Sequence, residues 1–197
     1  MPVEKTLWRV FPWDPDASEG DHFSPQFVPP PATQGSGRFD LPRSRAAVTY
    51  FAESPDHAIA ELLQGFRGHT LEPADLMRYG RRLALVNAVL AARPREGIFD
   101  FCSAAELVKE RIAPDATAAR HRLKTQRSAL QLHAAGHAGL RWWSTFFGEW
   151  HTVVLFRDRI NTHDLEFAAP LALDLKNPHL IEAARLLDVV VETASKT

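Results

Sequence analysis

A single cysteine, Cys102, occurs in 197 residues. That excludes an internal disulfide and suits a reducing compartment. No apolar run approaches the ~20 residues that a membrane-spanning helix requires. The first residues, 1–12, mix charge with tryptophan where a signal peptide would carry an apolar core. The expectation is a cytoplasmic protein with no membrane partner. An excess of one charge is also missing: the formal net charge is −1, so no overall positive field gathers nucleic acid or anionic lipid. The local basic group Arg120, His121, Arg122, Lys124 and Arg127 falls on an expected helix and reads as a solvated face. Such a face suits docking of an acidic partner as well as solvent; direct nucleic-acid binding is not expected. Histidines number nine but are scattered. His133 and His137 have helical i,i+4 spacing, yet Gly136 interrupts them and no acid completes a zinc set, so no metal is expected. Gly35-Ser36-Gly37 lacks the third glycine and the βαβ setting of a dinucleotide fingerprint.

What is present is an ordinary globular composition, 45% hydrophobic, over a length that suits one domain with a sizeable core. Residues 6–11 alternate and read as a strand; residues 46–51 read as a second, 83–90 as a third and 151–156 as a buried one. Between the first two lies a proline-rich loop at about 12–34, which neither a helix nor a central strand tolerates. Ser54-Pro55-Asp56 is a helix start, with serine as N-cap and proline at the first helical position. That helix is expected to run to about Phe66 and stop at Gly68. Further helices are expected over Ser103–Ile112, from about Asp115 to about Ala135, and from Asn177-Pro178 to about Ala194. Interspersed strands and helices, with no repeat and no defensible boundary, predict a single mixed α+β domain over residues 1–197.

Within this frame stands an ordered set of polar residues in apolar surroundings: Gly37-Arg38-Phe39-Asp40, then Tyr50 in Tyr50-Phe51-Ala52, then Glu61 within Ala58-Ile59-Ala60-Glu61-Leu62-Leu63. Ser144 follows later, at the end of Gly139-Leu140-Arg141-Trp142-Trp143-Ser144. Together with Arg9, Thr125-Gln126 and Val153-Val154-Leu155-Phe156, the order resembles that of the RES domain family over nearly the whole chain. Two positions depart from the family pattern: Phe39-Asp40 stands where Trp-Asn is commoner, and Trp143 where proline or arginine is commoner.

The resemblance implies a fold like that of ADP-ribosyltransferases. It also implies a toxin that consumes NAD by hydrolysis or phosphorolysis, paired with an antitoxin similar to Xre-type DNA-binding proteins. NAD would then be a substrate rather than a cofactor, with phosphate as a possible co-substrate; a homo-oligomer is allowed. Cleaving the nicotinamide–ribose bond develops positive charge on the ribose while the pyridinium leaves neutral, so no acid need protonate the leaving group. On this reading Arg38 and Glu61 are the catalytic pair, and Arg9, Tyr50 and Ser144 bind substrate. Arginine suits pyrophosphate through paired contacts to its oxygens, and Arg9 would complete the clamp. Glu61 would bond ribose hydroxyls and stabilise the cation or place the incoming acceptor. Tyr50 would meet the nicotinamide end, and Ser144 a phosphate or hydroxyl, without acting as nucleophile because no histidine is evidently placed to activate it. Thr125 and Gln126 read as polar residues of a helix. Two alternatives stay open: transfer of ADP-ribose to a protein, and a catalytically silent binding module, which the Phe39-Asp40 departure keeps in view.

Overall fold

The computed structural model describes residues 5–114, 121–144 and 147–192. Its strands are β1 (Lys5–Trp13), β2 (Val48–Ala52), β3 (Thr70–Leu71), β4 (Met77–Arg78), β5 (Arg81–Leu90) and β6 (Ile98–Asp100). They continue with β7 (Gly139–Trp143), β8 (His151–Phe156), β9 (Leu165–Phe167), β10 (Leu171–Ala172) and β11 (Val190–Val191). The described helices are α1 (Pro55–Leu63), α2 (Ala92–Glu96), α3 (Ala104–Lys109), α4 (Arg122–Ala134) and α5 (Pro178–Leu187). The class is the mixed α+β expected. By contact the chain divides into two compact units, each assembled from separate stretches of sequence.

The first unit takes in residues 28–51 and 89–166. Its strands lie in the order β2-β8-β7-β6. The β6–β7 pair is parallel, with Asp100 opposite Arg141, and the β7–β8 pair antiparallel, with Gly139 opposite Leu155. Close approach at Gly139 has a backbone cause: a Cβ there would run into the Val154 carbonyl oxygen. Helix α4 buries Thr125, Ser128, Ala129, Leu132 and His133, a stripe at i, i+3, i+4, i+7 and i+8. That stripe joins a core containing Phe39, Phe99, Phe101, Leu140, Trp142 and Phe156. The expected start of this helix at about Asp115 lies outside the described residues, as does Arg120 of the basic group. Arg122, Lys124 and Arg127 are exposed, in keeping with a solvated face. His133 and His137 go to separate acids, Asp158 at 2.8 Å and Glu110 at 3.4 Å.

Residues 7–27, 52–88 and 167 onward make the second unit. Strand β5 lies between β10 and β1, with Leu171 opposite Leu85, while β4 pairs with the start of β5. Trp8 of β1 stands opposite Ala52. Helix α1 begins as expected: the Ser54 side chain accepts from the His57 amide, and Pro55 opens the first turn. Its last turn tightens into a 3-10 turn over Gln64–Phe66, and Gly68 takes a φ of +79°. Helix α5 packs against α1 through Leu180, Ala183, Ala184 and Leu187. It stops at Leu187, short of the expected Ala194, because Asp188 turns left-handed at φ +57° and the chain enters β11. In the first unit α3 is cut short in the same way: Arg111 adopts φ +56°, so the expected helix to Ile112 ends at Lys109.

Candidate functional site

The five sequence candidates divide between the units, with Arg38, Tyr50 and Ser144 in the first and Arg9 and Glu61 in the second.

In the first unit the loop from Gly35 to Asp40 is built around a buried carboxylate. Asp40 is 5% exposed. Its Oδ2 accepts the amides of Gly35 at 2.7 Å and Gly37 at 2.8 Å, and its Oδ1 accepts the Tyr50 hydroxyl at 2.8 Å. The same hydroxyl accepts the Phe39 amide at 2.9 Å. Gly37 is needed because a Cβ there would collide with both the Asp40 carboxylate and the Tyr50 hydroxyl. Burial, and then the Asp40 carboxylate, raise the Tyr50 phenol well above its usual value, so it stays a neutral donor. Its proton goes to Asp40, and in this arrangement Tyr50 holds the loop.

From the other side, helix α4 grips the backbone of this loop. The Gln126 Nε2 donates to the carbonyls of Gly35 at 3.1 Å and Gly37 at 2.8 Å. Buried Thr125 donates its hydroxyl to the Arg38 carbonyl. The residues are helix polar residues, as expected, with a positioning task that spacing alone did not reveal. Gln34 completes the frame by pairing with both the amide and the carbonyl of Val48 on β2.

Arg38 therefore projects from a backbone fixed at several points. Its Cζ lies 4.3 Å from the Trp142 ring centroid and 6.0 Å from that of Phe39. A guanidinium on an indole face keeps its plane, and its edge N–H groups remain suited to oxygens of an anion. Partial burial lowers its pKa from the usual value, without approaching neutrality. Phe39 is 1% exposed and packs against Phe101 and Trp142 at centroid distances of 5.7 and 5.6 Å. The departure at this position is thus a matter of core filling. Ser144, just past β7, is 3% exposed, and its amide donates to the Trp150 carbonyl at 2.6 Å.

In the second unit Glu61 lies on α1 with its side chain 46% exposed, more open than its place in an apolar run predicts. Its Oε1 meets Nε2 of His57, one turn earlier, at 3.2 Å. Arg9 lies between the rings of Phe11 (5.2 Å) and Phe167 (5.9 Å) and donates to the carbonyls of Pro25 at 2.6 Å and Phe27 at 3.4 Å. These bonds pin the proline-rich loop, a positioning role the sequence did not announce. A cavity of about 710 Å³, lined among others by Leu76, Leu173, Ile181 and Val191, belongs to this unit and includes none of the five candidates.

Asp40, Gln34 and His57 are the residues that sequence reasoning passed over. The signal for Asp40 was present, an acid three residues after a glycine in a turn, which is the spacing of a side chain that caps its own loop.

A family model described as RES domain matches residues 6–175. No curated protein matches the chain. Among solved structures, a chain in the crystal structure of the M. tuberculosis MbcT–MbcA toxin–antitoxin complex superposes with a TM-score of 0.59 at 13% identity. The match covers 96% of this chain and 92% of that one; at such identity the likeness is one of fold.

Proposed function

The chain belongs to the RES domain family, and from that premise we propose that it is the toxin of a toxin–antitoxin pair and consumes NAD. The reaction is cleavage of the bond between nicotinamide and ribose, with water or phosphate as acceptor. The observation that carries this reading is the Arg38 guanidinium, lying over the Trp142 ring and carried by a loop whose backbone is fixed by Asp40, Thr125 and Gln126. A fixed, planar, partly desolvated cation is what a pyrophosphate needs, since paired N–H groups meet two oxygens without reorganising on binding.

Each residue's part follows from its surroundings. Arg38 holds the pyrophosphate. Glu61, whose carboxylate is open to solvent on one side and held by His57 on the other, bonds ribose hydroxyls and stabilises the positive charge that develops as nicotinamide leaves. The electron pair of the breaking bond goes to the pyridinium nitrogen, which becomes neutral; the acceptor oxygen adds to the ribose carbon, and a water acceptor releases its proton to solvent. Tyr50 and Arg9 act through the loops they hold, and Ser144 bonds a phosphate or ribose hydroxyl. Both halves of the Phe39-Asp40 departure support activity over a silent module: Phe39 is buried in the core, and the Asp40 carboxylate holds the loop that carries Arg38. The fold shared with a chain of a toxin–antitoxin complex supports an antitoxin partner, for which an Xre-type protein is proposed.

Incubation with NAD tests the reading. Nicotinamide should appear, with ADP-ribose in phosphate-free buffer and ADP-ribose-1-phosphate in phosphate if phosphorolysis operates. Unchanged NAD in the presence of folded protein would contradict it.

A further inference from the structure

Helix α1 carries two polar side chains one turn apart with opposite exposure. His57 is 1% exposed and Glu61 46%, and their Nε2 and Oε1 atoms lie 3.2 Å apart. We infer that His57 is the positioning residue for Glu61, a buried donor that selects one rotamer of an otherwise mobile carboxylate; this rests on the reading of Glu61 given above.

A buried imidazole, on a helix whose Ala58, Ile59, Ala60 and Leu63 are buried as well, loses its hydration and must find hydrogen-bond partners within the protein. A leucine of similar volume would pack on this face with no such demand. Retaining a polar ring there is explained by what its outer nitrogen reaches, and that is Glu61. An ionised carboxylate only accepts, so the contact places the proton on Nε2 and directs one donor at Oε1.

The backbone that carries His57 is itself immobilised. Its amide donates to the Ser54 Oγ at 3.2 Å in the N-cap. Asp56, beside it, pairs with His179 of α5 at 2.9 Å, and the apolar face of α1 packs on α5. A half-exposed glutamate on a helix surface loses its rotamer freedom only when something holds it. Here the partner is a short, stiff ring anchored in the core, a better orienter than a long surface lysine or arginine. A carboxylate that must meet ribose hydroxyls in one geometry gains from this, since misplacement by about 1 Å can cost on the order of 100-fold in rate.

The reverse relationship, in which Glu61 merely satisfies His57, makes different predictions. The variants are His57→Leu, which keeps volume and removes the donor, and His57→Gln, whose amide nitrogen can reach the place of Nε2. Two readouts are taken on each: side-chain couplings of Glu61 by NMR, and kcat and KM for NAD, with the melting temperature alongside. Positioning predicts one dominant Glu61 rotamer in wild type and in His57→Gln, and averaging in His57→Leu. It predicts kcat lower by about 10–100-fold in His57→Leu with KM little changed, and most of it restored in His57→Gln. Unchanged Glu61 couplings in His57→Leu overturn the inference, as does wild-type kcat in that variant. If His57→Leu does not fold, His57→Gln against His57→Asn, whose shorter amide cannot reach Glu61, carries the same comparison. The NMR readout is independent of NAD. Absence of nicotinamide release in the wild type, with Glu61 ordered only when His57 is present, would therefore sink the NAD reading and leave the positioning role standing.

Discussion

The Tyr50 hydroxyl donates to Oδ1 of Asp40 at 2.8 Å while accepting the Phe39 amide at 2.9 Å. One strand side chain thereby ties the loop carboxylate to the loop backbone just after Arg38, while that carboxylate holds the Gly35 and Gly37 amides before it. The arginine is presented by a rigid frame, and the frame rather than the arginine alone is what the fold supplies.

Asp40→Ala removes the acceptor of two glycine amides and a phenol at once. Losing these bonds, with the desolvated Tyr50 phenol left without its acceptor, costs about 1–3 kcal/mol. At this chain length each kcal/mol lowers the melting temperature by roughly 2–4 °C. Thermal unfolding checks this; a melting temperature equal to the wild type would remove Asp40 from the frame.

Alkaline pH should act through Tyr50. Its folded pKa is raised, so the phenol is neutral in the fold over a range where the unfolded chain ionises. The stabilisation is complete below about pH 10, the ordinary tyrosine value, and is lost as pH rises from there toward the raised folded value. The chain has two tyrosines, and the other, Tyr79, is 78% exposed. In a Tyr79→Phe background, tyrosinate absorbance should report a single late ionisation accompanied by unfolding, and alkaline denaturation should be shallower in Tyr50→Phe.

Gln126→Ala and Thr125→Val loosen the loop without changing the Arg38 side chain. Each loses hydrogen bonds worth about 1 kcal/mol, Gln126 two of them and Thr125 its bond to the Arg38 carbonyl. If Arg38 holds the pyrophosphate, KM for NAD rises several-fold in both while the melting temperature falls by only a few degrees. Steady-state kinetics with NAD make the measurement.

Gly139→Ala tests the β7–β8 approach. Its Cβ would enter the Val154 carbonyl, a backbone atom that cannot step aside. The expected loss is about 1–3 kcal/mol, the range for forced overpacking, read from urea unfolding.

Features governed by local chemistry were legible in the sequence. Ser54-Pro55 and Ser103 mark helix starts by capping, alternation marks β1, and a buried apolar run marks β8. Helix ends were less legible: α3 and α5 end where Arg111 and Asp188 turn left-handed, and neither is a residue whose type demands it. Exposure of Glu61 was not legible either, because an apolar run on a helix does not say which member looks outward until its partner α5 is placed. The partners of Arg9, Asp40 and Gln126 come from loops and strands distant in sequence, which no local pattern encodes.

The central claim is tested most directly by nicotinamide release from NAD, measured for wild type, Arg38→Ala and Glu61→Ala at matched melting temperatures. The account predicts release by the wild type and its loss in both variants, since each removes a contact assigned to the reacting molecule. Release at the wild-type rate by either variant would contradict that residue's assignment, and no release by folded wild-type protein would contradict the account itself.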